Sequence, residues 1–122
     1  MMRKPLFLAG FFLLCGACTK APEVPPVPRP MIETLYPSET LAGQGFNVQN
    51  DGSSALAIKC RNATASSVIV WEGSRLVTAF GSPASLSGIV PNDLFARPGK
   101  YRIEILDATT NVKSDPASFE VK

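Results

Sequence analysis

The sequence predicts an all-β fold: a single β-sandwich of seven to eight short strands over residues 31–122. Short apolar runs recur there at about 8–12-residue spacing with turn residues between them, and no useful stretch shows a helical period. Several runs also alternate, since Tyr101, Ile103 and Ile105 share one face while Arg102 and Glu104 share the other. One dry face and one wet face are typical of two packed sheets.

The individual elements follow from these runs and from the turn residues between them. Asn50–Gly52 and Glu72–Ser74 are predicted tight turns, the second joining two strands as a hairpin. Pro91–Ala96 is a predicted helical turn that begins at a proline, and Arg97–Gly99 is a loop. This number of short strands is typical of an immunoglobulin-like sandwich. The predicted strands are Met31–Tyr36, Phe46–Gln49, Ala55–Cys60, Ser67–Glu72, Leu76–Phe80, Ser85–Val90, Lys100–Leu106 and Ala117–Val121.

A set of apolar, glycine and proline positions recurs in a fixed order between Ile32 and Val121. These positions are Ile32, Leu35, Pro37, Ala42, Gly43, Val68, Val70, Trp71, Gly73, Leu76, Thr78, Phe80, Leu86, Val90, Pro91, Leu94, Ala96, Gly99, Tyr101, Ile103, Ile105, Ser114, Phe119 and Val121. Their order resembles a known immunoglobulin-like module, the IPT/TIG domain. Cys60-Arg61-Asn62 departs from the pattern, because the family usually places a glycine there. The resemblance therefore leaves the geometry of that turn open.

The resemblance implies a module that binds, spaces or supports. IPT/TIG domains occur in cell-surface receptors, in bacterial surface proteins, beside carbohydrate-acting enzymes and in some transcription factors. The module has no catalytic residues of its own, so the resemblance transfers none to this chain. A sandwich alone does not determine function.

The first 17 residues are predicted to be a signal peptide. Arg3 and Lys4 form a short positive segment, and Pro5–Leu14 is an almost wholly apolar run. A bilayer-spanning helix needs about 20 apolar residues, so this run is too short for a permanent anchor. Positive residues followed by a run of this length are typical of a secretory signal.

Cys18 is the predicted lipidation site. Gly16 and Ala17 precede it, and the stretch resembles the lipobox of bacterial lipoproteins, although Cys15 stands where leucine is usual. The resemblance implies cleavage after Ala17 and acyl chains on Cys18, and two or more chains anchor a protein firmly. The alternative is an ordinary signal cut after Ala17, which leaves a soluble periplasmic protein.

The predicted location is the outer membrane, with the protein anchored by lipid. Thr19 follows Cys18. In Gram-negative lipoproteins an aspartate at that position retains the protein in the inner membrane, so its absence favours the outer membrane. The alternatives are the periplasm, as a soluble protein, and the cell surface.

Residues 18–30 are predicted to be the lipidated cysteine and a proline-rich tether. Lys20–Pro30 contains five prolines. Proline fixes φ and lacks an N–H, so neither a helix nor a sheet is expected there. An extended spacer of this length spans about 30 Å and would hold residues 31–122 away from a membrane. The alternative is a proline ligand for an aromatic groove on a partner.

Cys60 is predicted to be a small buried apolar residue. It shares a strand face with Leu56 and Ile58. Cys15 leaves with the signal and Cys18 carries lipid, so Cys60 would have no internal disulfide partner. If Cys18 is not lipidated, a Cys18–Cys60 bridge becomes a possible pairing.

Charge and composition disfavour several classes of function. From Cys18 onward the chain has ten basic and ten acidic residues, which disfavours nucleic acid as the partner. The chain has no histidine, the commonest general base and metal ligand. No motif for a cofactor or metal is present, and Asn50–Gly52, the nearest calcium candidate, is explained by a turn. The sequence therefore predicts a protein that is not an enzyme and needs no cofactor.

The candidate partner-binding residues are Trp71, Arg75, Phe95 and Arg97. They lie on the predicted hairpin Trp71–Arg75 and in the Pro91–Gly99 loop. The preferred interpretation is a lipid-anchored module that binds another envelope protein, whose identity the sequence does not indicate. The alternative is a glycan- or peptidoglycan-binding surface in which an exposed Trp71 stacks on sugar, although core packing is the simpler role for this ring. Arg75, Arg97, Lys100 and Arg102 are a possible basic patch near one end.

Overall fold

The computed structural model describes residues 28–122, which form two β-sheets packed face to face. Seven strands have five residues or more, three have two, and a 3-10 helix, Asn92–Phe95, lies between β7 and β8. The strands are β1 Met31–Tyr36, β2 Glu39–Thr40, β3 Ser54–Arg61, β4 Ser67–Trp71, β5 Ser74–Arg75, β6 Val77–Ser82, β7 Ser85–Val90, β8 Gly99–Asp107, β9 Val112–Lys113 and β10 Ala117–Val121.

The strand order confirms the predicted immunoglobulin-like sandwich. One sheet has the order β1-β3-β7-β6 and is antiparallel throughout. The other has the order β2-β10-β8-β4-β5, with β9 also paired to β8. Its only parallel pair in the described chain is β2 with β10. The described chain changes sheet five times, for example between β5 and β6, so each sheet combines strands that are distant in sequence.

A row of aromatic rings runs through the core between the sheets. Trp71 contacts Phe119 with ring centroids 4.9 Å apart, and Phe119 contacts Phe46 at 5.3 Å. Phe46 in turn lies 5.0 Å from Phe95 of the 3-10 helix. Aromatic side chains bury more apolar area than any others, and tilted contacts at these distances add to that stabilisation. The rings therefore tie the 3-10 helix and the loop before β3 to the sheets.

The predicted strand Phe46–Gln49 is wrong. Phe46 is buried, but this segment is a loop in which Asn47 has φ 44°, a left-handed conformation that interrupts a strand. The Asn47 side-chain amide holds the loop by donating to the carbonyls of Tyr36 and Ala55, each at 3.1 Å. The alternation of Phe46 and Val48 thus reflects one ring in the core and one exposed side chain, without a paired strand.

The predicted turns are confirmed. Glu72 and Gly73 both have positive φ and connect the paired residues Trp71 and Ser74, as a two-residue hairpin turn requires. The Gly52 N–H donates to the Gln49 carbonyl at 2.9 Å. After β3 the chain turns through Asn62 at φ 63°, which asparagine tolerates better than most residues other than glycine.

Packing of the domain extends into the last two residues of the predicted tether. Pro30 is buried, and the Arg29 guanidinium pairs with the Asp115 carboxylate at 2.9 Å. The Arg29 carbonyl also accepts a hydrogen bond from the Asn62 side chain at 2.9 Å. Cys18, the signal peptide and the tether up to residue 27 lie outside the described residues.

The topology separates two ends of the sandwich. At the tether end Arg29 contacts Asn62, and Thr64 contacts Asp107, the last residue of β8. Strand β4 runs from this end to the hairpin turn at Glu72, so that turn lies at the far end. The 3-10 helix is also at the far end, because its Phe95 carbonyl accepts from Gly43 in the loop after β2. The hairpin and the 3-10 helix therefore lie at the end opposite the entering chain.

Candidate functional site

Two of the four candidate binding residues are core side chains. Trp71 and Phe95 are each 1% exposed. The Trp71 ring lies between Tyr101, at a centroid distance of 5.6 Å, and Phe119. The direct partner contact expected of these two rings is therefore corrected: they support the far end from inside. Both side chains point from their element into the core between the two sheets.

Arg75 and Arg97 lie on the surface. Arg75 is in the two-residue strand β5, opposite Val70 of β4. Arg97 lies in the loop before β8, where its carbonyl accepts from the Tyr101 hydroxyl at 2.6 Å. Within residues 28–122 neither arginine forms an ion pair, and the same holds for Lys100 and Arg102. Their positive charges therefore remain available to a partner.

A crevice forms at the far end where the hairpin meets the 3-10 helix. Its volume is about 250 Å³, and we call it the far-end crevice. It exists because the chain leaves one sheet at Arg75 and enters the other at Val77. Between them the buried Leu76 is held by a 2.8 Å bond from its N–H to the Ile69 carbonyl. The lining residues are Ser74, Arg75, Leu76, Val77, Ile89, Pro91, Asp93 and Leu94.

The far-end crevice combines apolar walls with two charges. Val77 is 78% exposed, and Leu94 is half-buried against the core cluster. Arg75 and Asp93, of opposite sign, also line it. Apolar surface with a few charged groups suits a protein contact, in which the apolar part supplies affinity and the charges supply orientation. Arg97 is outside this lining.

A second cavity of about 250 Å³ lies at the tether end. Its walls come from Arg29–Ile32 on one side and from Asp115 and Pro116 on the other. The Arg29–Asp115 ion pair spans these two sides. This cavity lies where the described chain begins, at the end of the domain opposite the far-end crevice.

Asp107 is a polar centre at the tether end that the sequence analysis did not single out. The residue is 7% exposed, and its carboxylate accepts from the hydroxyls of Thr64 and Ser66, each at 3.0 Å. The backbone N–H groups of Thr109 and Thr110 donate to it at 2.9 and 3.2 Å. The local contacts from Thr109 and Thr110 are predictable, because an aspartate side chain commonly accepts from the backbone two residues later in a turn. The contacts from Thr64 and Ser66 are not, because these residues lie 43 and 41 positions earlier in the chain.

The hydrogen bonds around Asp107 outweigh its burial. Burial acts to raise the pKa of the Asp107 carboxyl, but the bonds from Thr110, Thr64, Ser66 and Thr109 lower that pKa below its usual range. Such bonds favour the ionised form. The arrangement closes the turn between β8 and β9 and ties it to the loop after β3.

Asp107→Asn is expected to lower the free energy of unfolding at neutral pH and to make that free energy depend less on pH in the acidic range. Since the folded pKa is depressed, the wild-type contribution is complete above the unfolded pKa and disappears as pH falls through the folded pKa. We expect a loss of about 1–3 kcal/mol at pH 7, which shrinks toward pH 2. Urea unfolding between pH 2 and pH 7 measures it.

Asp115→Asn is the matched control, because Asp115 lies at the same end and its side chain is 91% exposed. It should follow the wild-type pH profile with little loss of stability. If the Asp107 and Asp115 variants lose equal stability at every pH, the Asp107 hydrogen bonds do not contribute as described.

Cys60 is buried, as predicted. It is 1% exposed, and its Sγ lies 3.7 Å from the Pro83 carbonyl oxygen. Burial raises the pKa of the Cys60 thiol, and the negative charge of Glu33 raises it further. The thiol form is therefore favoured, which makes Cys60 a poor nucleophile. The alternative Cys18–Cys60 bridge involves a residue outside the described chain.

No protein-family model matches this chain, and no curated protein shows significant sequence similarity to it. The IPT/TIG resemblance thus stays a prediction. Residues 28–122 contain no helix long and apolar enough to cross a membrane. The same residues contain no cluster of three or more histidine, cysteine, aspartate or glutamate side chains that could hold a metal ion.

Proposed function

We propose that this chain is a lipid-anchored protein of the bacterial envelope whose immunoglobulin-like domain binds another envelope protein without catalysis. The observation that carries the proposal is the far-end crevice, at the end of the sandwich opposite the entering chain. The IPT/TIG resemblance supports the same role, because domains of that family mostly bind or support. The partner would contact the crevice, including the Arg75 side chain that lines it.

The anchoring part of the proposal rests on the sequence before the domain. An apolar run too short to span a bilayer is followed by Gly16, Ala17 and Cys18, as in a lipobox. The proline-rich stretch that begins at Lys20 is predicted to be an extended spacer of about 30 Å, and packing of the domain begins at Arg29. A chain held at Cys18 would therefore present its far end away from the membrane.

Protein binding fits the surface of the far end better than glycan binding. The glycan alternative depended on an exposed Trp71 ring, and that ring is buried between Tyr101 and Phe119. Apart from the exposed Ser74 hydroxyl, the groups that reach the surface around the crevice are aliphatic and charged. Burial of aliphatic side chains with flanking charges is the usual composition of a protein interface.

Site-specific photocrosslinking in cells tests the proposal. A photoreactive amino acid at Asp93, in the far-end crevice, is expected to give one discrete adduct with another protein. The same amino acid at Thr110, exposed at the tether end, should give none. The adduct mass also distinguishes a different protein from a second copy of this chain. Equal adducts at both positions, or none at Asp93, would contradict binding at the far end.

Arg75→Glu is expected to lower the yield of the Asp93 adduct about tenfold, because it reverses an exposed charge at the crevice. Lys113→Glu is the matched control, since it makes the same charge change on the exposed Lys113 of β9, at the tether end. Both variants should unfold at the wild-type denaturant concentration. An unchanged yield with Arg75→Glu would remove Arg75 from the proposed interface.

A further inference from the structure

The edges of the two sheets differ in how well they are protected. Strands β2, β5 and β9 have only two residues each. Strand β1 has a register shift at Glu33 and lies between Pro30 and Pro37. Short strands, bulges and prolines all block the pairing of further strands. Strand β6 is an edge of six residues, Val77–Ser82, without a charge or a proline. Its register shift lies near its end, between Phe80 and Ser82, so Val77–Phe80 pair regularly with β7.

The phase of the hydrogen bonds shows which groups of β6 are free. The Cys60 N–H donates to the Ala84 carbonyl at 2.9 Å, so even-numbered residues at the start of β7 face β3. Since backbone groups alternate along an antiparallel strand, the odd-numbered residues of β7 bond to β6. Val77 lies opposite Ile89 and Ala79 opposite Ser87, so these two residues of β6 make the bonds to β7. The N–H and C=O groups of Thr78 and Phe80 therefore point out of the sheet.

The free edge also carries apolar surface. Phe80 lies opposite the buried Leu86, on the inner side of the sheet, yet it is 42% exposed. A strand added to β6 would cover part of this exposed ring surface and remove apolar area from water.

Strand β6 is complementary to a second copy of itself. With a two-fold axis at Ala79, Thr78 of one copy lies opposite Phe80 of the other, and their free groups can form four backbone hydrogen bonds. Ala79 lies opposite its own copy, so two small side chains meet at the axis. The strand has no charges, so self-pairing brings no like charges together.

We propose that two copies of this chain associate by antiparallel pairing of their β6 strands about a two-fold axis at Ala79, which joins their four-stranded sheets into one. This surface meets the far-end crevice at Val77, which lines the crevice and also belongs to β6. It uses the backbone of Thr78 and Phe80, whereas the proposed function uses Arg75 and Asp93.

Disulfide trapping of the full-length chain in the membranes of producing bacteria tests the pairing. Ala79→Cys places two thiols at the axis, within the Cα separation of about 4.4–6.8 Å that a disulfide needs. Mild oxidation with copper–phenanthroline is expected to convert most of this variant to a covalent dimer. Addition of a reductant should restore the monomer.

Val77→Cys is the matched control, because it is on the same strand and face and is more exposed. Its two copies would lie about 13 Å apart, too far for a disulfide. The parent chain is oxidised in parallel as a second control, and any dimer that it forms is attributed to the native cysteines. Absence of an Ala79→Cys dimer, equal dimers from both variants, or a disulfide to a different protein would each overturn the proposal.

Ala79→Lys provides a second readout that needs no oxidation. It places two positive charges at the axis and is expected to shift the detergent-extracted protein from dimer to monomer in light scattering. Ala79 is exposed, so the variant should still fold. A parent chain that is monomeric at every concentration tested would also overturn the proposal.

Discussion

Trp71→Ala is expected to destabilise the domain more than any other single substitution considered, by about 3–5 kcal/mol. The ring is 1% exposed and contacts Tyr101 and Phe119, so its removal leaves a cavity between the sheets. A domain of this size has a total stability of only about 5–15 kcal/mol. Urea unfolding followed by far-ultraviolet circular dichroism measures the change.

Trp71→Phe is the control for this prediction. Phenylalanine retains a packed ring, and it removes the indole N–H, which is buried without a hydrogen-bond partner within residues 28–122. An unpaired buried donor is costly, so losing it offsets part of the lost packing, and we expect a cost of about 1 kcal/mol or less. If Trp71→Ala costs as little as Trp71→Phe, the ring does not hold the sheets together. If it instead abolishes sugar binding in a stably folded domain, the glycan alternative returns.

Cys18→Ser is expected to release the protein from membranes. Serine offers no thiol for acylation, and the remaining apolar run of the signal is too short to anchor the chain. Fractionation of cells with a high-salt and carbonate wash measures the effect, and a large shift to the soluble fraction is expected. Unprocessed precursor is distinguished by its mass.

Cys15→Leu is the matched control, since leucine is the usual lipobox residue at that position. This variant should remain bound to membranes like the parent. Cys18→Ser protein that is cleaved and still stays membrane-bound through washing would contradict the lipoprotein interpretation. In that case the Cys18–Cys60 pairing would become testable by mass under non-reducing conditions.

Local patterns were sufficient for most strands. Tyr101, Ile103 and Ile105 alternate with charged residues, and a strand with one face in the core requires this period of two. The hairpin turn was predictable because Glu72 is followed by a glycine that tolerates positive φ. The predicted strand Phe46–Gln49 was wrong because two apolar residues at alternate positions give the same local pattern in a loop as in a strand. Only the tertiary structure shows that this segment is in neither sheet of the described chain.

The candidate site was only partly predictable. The sequence associated the hairpin with the Pro91–Gly99 loop, and the crevice does form between them. Exposure could not be read from residue type, because Trp71 and Phe95 face the core whereas Val77, an aliphatic residue, faces solvent. Asp107 was missed because its hydroxyl partners lie 43 and 41 residues earlier in the chain.

By itself the sequence determined the all-β class, the positions of seven strands and the turns between them, because these depend on contacts between near neighbours and on the allowed φ of single residues. It also carries the signal and tether patterns that predict a lipid anchor. Only the tertiary structure decided which rings are buried, where the far-end crevice forms and which edge is open. Those features depend on strands that the sandwich brings together from distant parts of the chain, and no local pattern encodes that pairing.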